Sequence, residues 1–347
     1  MTSGPETRRP TPQSSTALEP NRDPELWQGA VTWTVEEGWW QAQRLLPELE
    51  QFAYAPDLYD KSRAPAGVRL RPSTAASTLE LQLRSGSESV IDLVIDNMLV
   101  ERQPVVVGEQ AITFDLPSAR GSVTEVWLPQ SGPVQIRSVV ALGGSTCVPT
   151  APRRRWLTYG SSITQCTAAA GPSETWPAVA ARSLDWDLTC LGFGGQCHLD
   201  HAVIETIDTV EADVISICLG INVYGGNSFS QRSWPGRVAE FITRVRAGHP
   251  HAELFAITPI WSPAREEIAN GAGMTLSGYR HDVTRVAEDL RAAGDDHLHV
   301  IDGLSILGNA EEGMLPDGLH PDADGYRVMG QRIGAVLGEW QAAQSSL

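Results

Sequence analysis

Lysine is nearly missing from this chain: Lys61 is the one lysine among 347 residues, and arginine carries the remaining positive charge. Positive charge is scarce altogether, with 26 Lys and Arg against 42 Asp and Glu and a formal net charge of -16. A surface that acidic repels phosphate backbones, so no nucleic-acid partner is expected. Cysteine is sparse too. The five that occur, Cys147, Cys166, Cys190, Cys197 and Cys218, form no C-x-x-C pair. An odd, unpatterned set fits a reducing compartment, where cysteine serves as a small buried hydrophobe. No run of about 18 apolar residues occurs, so no membrane span is expected. The first 25 residues lack the apolar stretch of a secretory signal. These absences together lead us to expect a cytoplasmic protein without a membrane partner.

Material for packed cores is ample nonetheless. Hydrophobic residues make up 41% of the chain, Trp occurs 11 times, and charged residues are only 20%. At this length two ordinary domains are expected. Residues 1–25, rich in Pro, Ser and Thr, read as a disordered tail. From 26 to 145 the hydrophobic period is two. In 79–83, Leu79, Leu81 and Leu83 point one way while Glu80 and Gln82 point the other. Further strands are expected at 68–71, 90–95, 111–116, 123–128 and 134–140, with a short helical turn within 43–53. Short strands parted by turn residues predict an all-β sandwich, jelly-roll-like. The pattern breaks at 146–155, the expected linker.

From 156 to 347 the rhythm changes. Strands are expected at 156–159, 213–219, 254–258 and 298–301. Helices are expected at 231–247, at about 275–293 and after Pro321. The last of these places Tyr326, Met329, Ile333 and Val336 on its inner face. Alternation of this kind predicts an α/β domain whose mainly parallel sheet is covered on both faces. Ligands of such sheets bind beyond the carboxyl ends of the strands.

Three apolar strands run into polar, glycine-bearing turns at such ends. Leu157-Thr158-Tyr159 leads into Gly160-Ser161-Ser162-Ile163-Thr164. The stretch around Leu191 leads into Gly192-Phe193-Gly194-Gly195. Val214 to Leu219 leads into Gly220-Ile221-Asn222. A helix starting after the first turn presents free N–H groups to Ser162. Near the C-terminus comes Asp317-Gly318-Leu319-His320-Pro321. The D-x-x-H spacing lets a carboxylate hold one imidazole nitrogen, so the other can take a proton from a serine. Each piece alone is ordinary turn chemistry. All four, in this order and each beyond a strand, make a specific set.

The set resembles the SGNH hydrolases, also called GDSL esterases and lipases, over residues 156 to about 340. The resemblance implies a flavodoxin-like SGNH hydrolase domain at 156–347. It makes Ser162 the nucleophile, with Asp317 and His320 completing a triad. It assigns the oxyanion hole to the N–H groups of Ser162 and Gly195, with Gly194 as the rival, and to the Asn222 side chain. Two positions depart from the family pattern: Ser161 and Val223 stand where carboxylates are usual. Both are supporting positions, so the reaction class stands. No G-x-S-x-G is present, which argues against the other large family of serine esterases. A sandwich followed by an SGNH domain is similar to two-domain carbohydrate esterases, and to salicyl-transferring enzymes of tetracycline-type pathways.

The expected activity is hydrolysis of a small acyl ester or thioester through an acyl-enzyme. The alternative is transfer of the acyl group to an alcohol acceptor. A third reading, a carbohydrate-binding protein with an inactive SGNH domain, is opposed by the intact set of Ser162, Asn222, Asp317 and His320. Neither a cofactor nor a metal is expected. His198-Leu199-Asp200-His201 and Asp295-Asp296-His297-Leu298-His299 lack a fixed third ligand. Tyr224, Trp261 and Arg265 follow strand ends and are candidates for the pocket lining. The sandwich is expected to wall one side of that pocket.

Overall fold

The computed structural model of the protein describes residues 15–117, 121–143 and 146–344. Leu79, Leu81 and Leu83 are fully buried along one face of strand Thr78–Ser85. This strand pairs antiparallel with Gly108–Asp115, which sets Phe114 opposite Leu79 and Ile112 opposite Leu81. Its other neighbour is Val134–Leu142, and Trp39–Gln43 and Thr32–Glu36 continue the sheet. A second antiparallel sheet is built around Ser122–Trp127, with Arg69–Leu70, Pro72–Thr74 and the hairpin of Ser89–Ile95 and Met98–Val105. Leu70, Ile91, Leu93 and Val126 of this sheet share one apolar core with Leu79, Leu81, Phe114 and Ile136 of the first.

Strands Thr32–Glu36 and Met98–Val105 escape the period-two reading because most of their side chains keep contact with solvent, so burial does not alternate. Two expected boundaries also differ. The tail was expected to be disordered through residue 25, but Ser15–Ala17 pairs with Val140–Leu142 and Leu18 is buried in the core. An unpaired strand edge and one apolar anchor hold this segment. Residues 1–14 of the expected tail lie outside the described residues. The expected linker is shorter than 146–155, because Cys147–Pro149 pairs with Pro72–Thr74 and the next strand begins at Arg154.

That strand, Arg154–Gly160, opens a five-stranded parallel sheet. Trp186–Gly192, Val214–Cys218, Glu253–Ile257 and Leu298–Ile301 follow along the chain. In space the order is second, first, third, fourth, fifth. Helices cover both faces. Trp234–Gly248 and Leu276–Ala292 bury Val238, Phe241, Ile242, Tyr279 and Val283 against Leu157, Ile215 and Ile217. Trp176–Leu184 and Ala323–Gln344 pack on the other face with Trp156, Val214 and Phe255. The last helix buries Tyr326, Met329, Ile333 and Leu337, whereas Val336 is only partly buried. Because the first strand lies between the second and third, the three motif-bearing turns leave the sheet side by side, at strand spacings of about 4.8 Å.

Candidate active site

Ser161 caps the short helix Ser162–Gln165, its Oγ accepting from the Ile163 N–H at 3.2 Å. A hydroxyl here does the capping that a carboxylate would otherwise do. Ser162 Oγ donates to His320 Nε2 at 2.8 Å. His320 Nδ1 donates to Asp317 Oδ2 at 2.7 Å. A carboxylate facing Nδ1 keeps the proton on that nitrogen and leaves Nε2 as the acceptor. Asp317 Oδ1 also accepts the N–H groups of Leu319 at 2.9 Å and His320 at 2.7 Å. Burial works against the Asp317 charge, but the hydrogen bonds from the His320 ring and these two amides outweigh it and hold the carboxyl at about 2. Asp317 is therefore ionised near neutral pH.

Ser162 N–H starts its helix and Gly195 N–H follows a turn. Among the described residues neither meets an acceptor. Gly194 N–H, the rival donor, is already occupied by Gln165 Oε1 at 2.8 Å. Of the two glycines, Gly194 thus has its N–H occupied and Gly195 does not. Gly195 has φ of +74°, the left-handed region that favours glycine. Its carbonyl accepts from His198 Nε2 at 3.1 Å. Asn222 Oδ1 accepts from Cys197 N–H at 3.0 Å, which fixes the amide and leaves its NH₂ group as a donor. Val223, beside it, is fully buried in the apolar core. A carboxylate at that position would be an unpaired buried charge.

Ser162, Gly195, Asn222 and His320 line one side of a groove of about 740 Å³. The opposite wall comes from the N-terminal half, through Asp60, Lys61, Ala64, Glu88, Ser131 and Pro133. Asp60 is paired with Arg63 at 2.8 Å. Tyr224, Trp261 and Arg265, expected as pocket residues, do not line this groove. Tyr224 donates to the Ile268 carbonyl at 3.0 Å. Trp261 Nε1 bonds Glu312, and its ring borders a separate apolar void of about 30 Å³ that neither Ser162 nor His320 reaches. Arg265 instead braces the D-x-x-H turn, with Nη1 on the Gly318 carbonyl at 3.3 Å and on Ser262 Oγ at 2.9 Å. Following a strand end put these side chains near the site but did not say which way they face.

The metal alternative has its own geometry. His297 and His299 both bind Glu253, at 2.8 and 2.7 Å, and His198 bonds Ser228 and Gly195. Among the described residues no three His, Cys, Asp or Glu side chains are grouped to hold a metal ion. No helix among them is long and apolar enough to cross a membrane. Residues that sequence reasoning missed are Gln165, which occupies Gly194 N–H, and Arg44, which reaches the Gly192 carbonyl at 2.7 Å. Neither sits in a spacing pattern that marks it.

The structure is similar to the salicylyl-acyltransferase SsfX3 from a tetracycline biosynthetic pathway. The match has 26% identity and a TM-score of 0.85, over 95% of this chain and 99% of that one. It is also similar to two family two carbohydrate esterases. The one from Cellvibrio japonicus shares 16% identity, with a TM-score of 0.63 over 94% of this chain and 98% of that one. The one from Clostridium thermocellum, solved with cellohexaose, shares 17%, with a TM-score of 0.61 over 80% and 93%. No curated protein sequence matches the chain. Residues 153–337, more than half of its length, match the GDSL-like lipase/acylhydrolase profile, and the chain belongs to that family.

Proposed function

We propose that the protein is a serine-dependent carboxylic-ester hydrolase acting through an acyl-enzyme on a small O-acyl or thioester substrate. The observation that carries this reading is the unbroken relay of Ser162, His320 and Asp317, at 2.8 and 2.7 Å, bordering an open groove. In this reading His320 takes the Ser162 proton as Oγ bonds to the carbonyl carbon. The carbonyl electron pair moves onto oxygen, which meets the N–H groups of Ser162 and Gly195 and the Asn222 amide. Such donors are worth about 3 kcal/mol each in the transition state. His320 then gives its proton to the departing alcohol or thiol as the C–O or C–S bond breaks. Water, deprotonated by the same imidazole, attacks the acyl carbon; the bond to Ser162 Oγ then breaks, Oγ takes the proton back from His320, and the acid is released. No step needs a cofactor. The groove is open and the His320 side chain is 33% exposed, so water has a route to the acyl-enzyme.

A second reading is favoured by the near end-to-end similarity to SsfX3: acyl transfer to an alcohol acceptor, in place of water. Purified protein supplied with an aryl ester or acyl thioester, with and without candidate alcohols, separates the two. Free acid released faster than new ester forms supports hydrolysis, and the reverse supports transfer. Full turnover by Ser162→Ala would remove both readings. We further assign the C-terminal half to the flavodoxin-like class on its 2-1-3-4-5 strand order, and the N-terminal half to the jelly-roll-like sandwiches. The five free cysteines support a cytoplasmic setting.

A further inference from the structure

Arg44 is wholly buried, and its hydrogen bonds go to main-chain carbonyls. Two belong to its own half, Ala64 and Lys61, the latter at 2.6 Å. The other two belong to strand Trp186–Gly192: Cys190 at 3.1 Å and Gly192 at 2.7 Å. The guanidinium also lies 4.9 Å over the Phe193 ring. Burial pulls its pKa down to about 10, which leaves it charged near neutral pH. Arg69 acts in the same way further back on the strand, with Nη1 donating to Leu188 O at 3.0 Å.

Leu188, Cys190 and Gly192 alternate along the outer edge of the parallel sheet, where every second carbonyl lacks a neighbouring strand. The N-terminal half supplies that neighbour with two arginines. Gly67 makes the approach possible: a Cβ there would sit 2.9 Å from Cys190 Cβ, and its φ is +82°. A second grip comes from Gln165. Its Nε2 donates to the carbonyl of Gln130, in the N-terminal half, at 3.1 Å, and Gln130 Nε2 returns a bond to Cys166 O at 3.3 Å. The Oε1 of Gln165 takes Gly194 N–H. The turn 192–195 is thus held at the Gly192 carbonyl, at the Phe193 ring and at the Gly194 amide. The next amide along, Gly195 N–H, is the one left free.

We propose that the N-terminal half sets the oxyanion hole, with Arg44 and Gln165 as positioning residues that hold Gly195 N–H where the developing oxyanion forms. This rests on the assignment of Ser162, Gly195 and Asn222 made above. The physical reason is preorganisation. A turn leaving an edge strand is a low-stability element, and a hole donor that must be ordered during the reaction loses most of its value.

Gln165→Leu removes both Gln165 bonds at similar volume, and Arg44→Lys keeps the charge but loses the forked donor set. Each is expected to lower kcat on an aryl ester about 10- to 100-fold with little change in KM, the pattern of a donor misplaced in the transition state. Affinity for a boronic acid, whose tetrahedral adduct fills the hole, should fall by the same factor. Gln165→Glu, which keeps an acceptor for Gly194 N–H, should recover part of the loss. If kcat per labelled Ser162 is unchanged, so that lost rate only tracks lost folded protein, the inference is overturned. Wild-type protein decides the matter should either variant fail to fold. Amide exchange in 192–197 must rise with denaturant in step with that in 40–66, and a turn that opens earlier overturns the inference. Ser162→Ala separates the two possible failures. Turnover retained by Ser162→Ala removes the assignment of the nucleophile. A dead Ser162→Ala beside full-rate Gln165→Leu and Arg44→Lys removes only the role given to the N-terminal half.

Discussion

The two walls of the groove reach it by different routes. On the C-terminal side the candidate reactive groups stand within short motifs: three follow adjacent strands, and the D-x-x-H turn follows the short helix Asn309–Met314. On the N-terminal side the lining comes from three separated segments: the end of helix Pro56–Ser62 with Ala64, and the loops around 87–88 and 131–133. The charges differ in the same way. Asp317 and His320 are partly exposed, whereas Arg44, Arg69 and Glu125 are buried in polar contacts that span long stretches of chain. Reaction chemistry needs a few atoms whose spacing a single turn can set. Support for those atoms comes from long-range contacts, and here the supporting half has no group in the relay.

The sharpest way to break that contrast is to remove Ser162, the proposed nucleophile. Ser162→Ala should cost roughly 10⁶-fold in kcat, since a serine and its histidine act as a unit. Steady-state hydrolysis of an aryl ester, with active sites counted by a phosphonate label in wild type, measures it. A residual rate within tenfold of wild type would move the chemistry to another residue and dissolve the contrast.

Glu125 tests the N-terminal half on stability. Its carboxylate is buried, accepting from Arg71 Nε at 2.7 Å and Trp127 Nε1 at 2.8 Å. Burial alone would raise its pKa, but the nearby Arg69 charge, the Trp127 bond and Arg71 together bring it below the ordinary carboxylate range. A depressed folded value stabilises the fold above the unfolded value of about 4.3, and that gain disappears as pH falls through the folded value. Glu125→Gln should therefore lower stability by about 3 kcal/mol near neutrality. The gap in Tm to wild type should close below about pH 4, and kcat per folded molecule should not move. A gap that widens in acid would reverse the sign of this argument. A fall in kcat with intact Tm would mean that the supporting half reaches the reaction through Glu125 as well.

How much was legible follows the same division. Ser162 and Asn222 could be named because strand-end turns dictate where such side chains go, and Asp317 and His320 from their D-x-x-H spacing. The inward face of helix Ala323–Gln344 was legible from apolar period at Tyr326, Met329 and Ile333. Gly195 was preferred to Gly194 by resemblance alone, because the physical difference is the bond of Gly194 N–H to Gln165, 29 positions away. Arg44 was invisible for the same reason, its partners lying 146 and 148 positions on. Tyr224, Trp261 and Arg265 were expected at the pocket but do not line the groove, since a position after a strand carries no information about direction. The strand Ser15–Ala17 was lost in a Pro- and Ser-rich context that composition reads as disorder.

The smallest expected effect lies next to Ser162 in the chain, and it separates capping from catalysis. Among the described residues Ser161 Oγ accepts only the Ile163 N–H, at 3.2 Å, and Ser161 is 2% exposed. Ser161→Ala leaves that amide without a partner at the start of a helix of four residues, a loss of about 1 kcal/mol in stability. The Ser162 to His320 bond does not pass through Ser161. The proposed oxyanion donors do not use it either, so kcat should fall less than tenfold. Asn222→Ala, by comparison, removes a donor from the developing oxyanion and should cost about 10²- to 10³-fold in kcat. Measuring the two variants side by side on one aryl ester makes the ranking the test. If Ser161→Ala loses as much as Asn222→Ala, the cap helps hold Ser162 for attack, and the position that departs from the family pattern belongs with the catalytic residues after all.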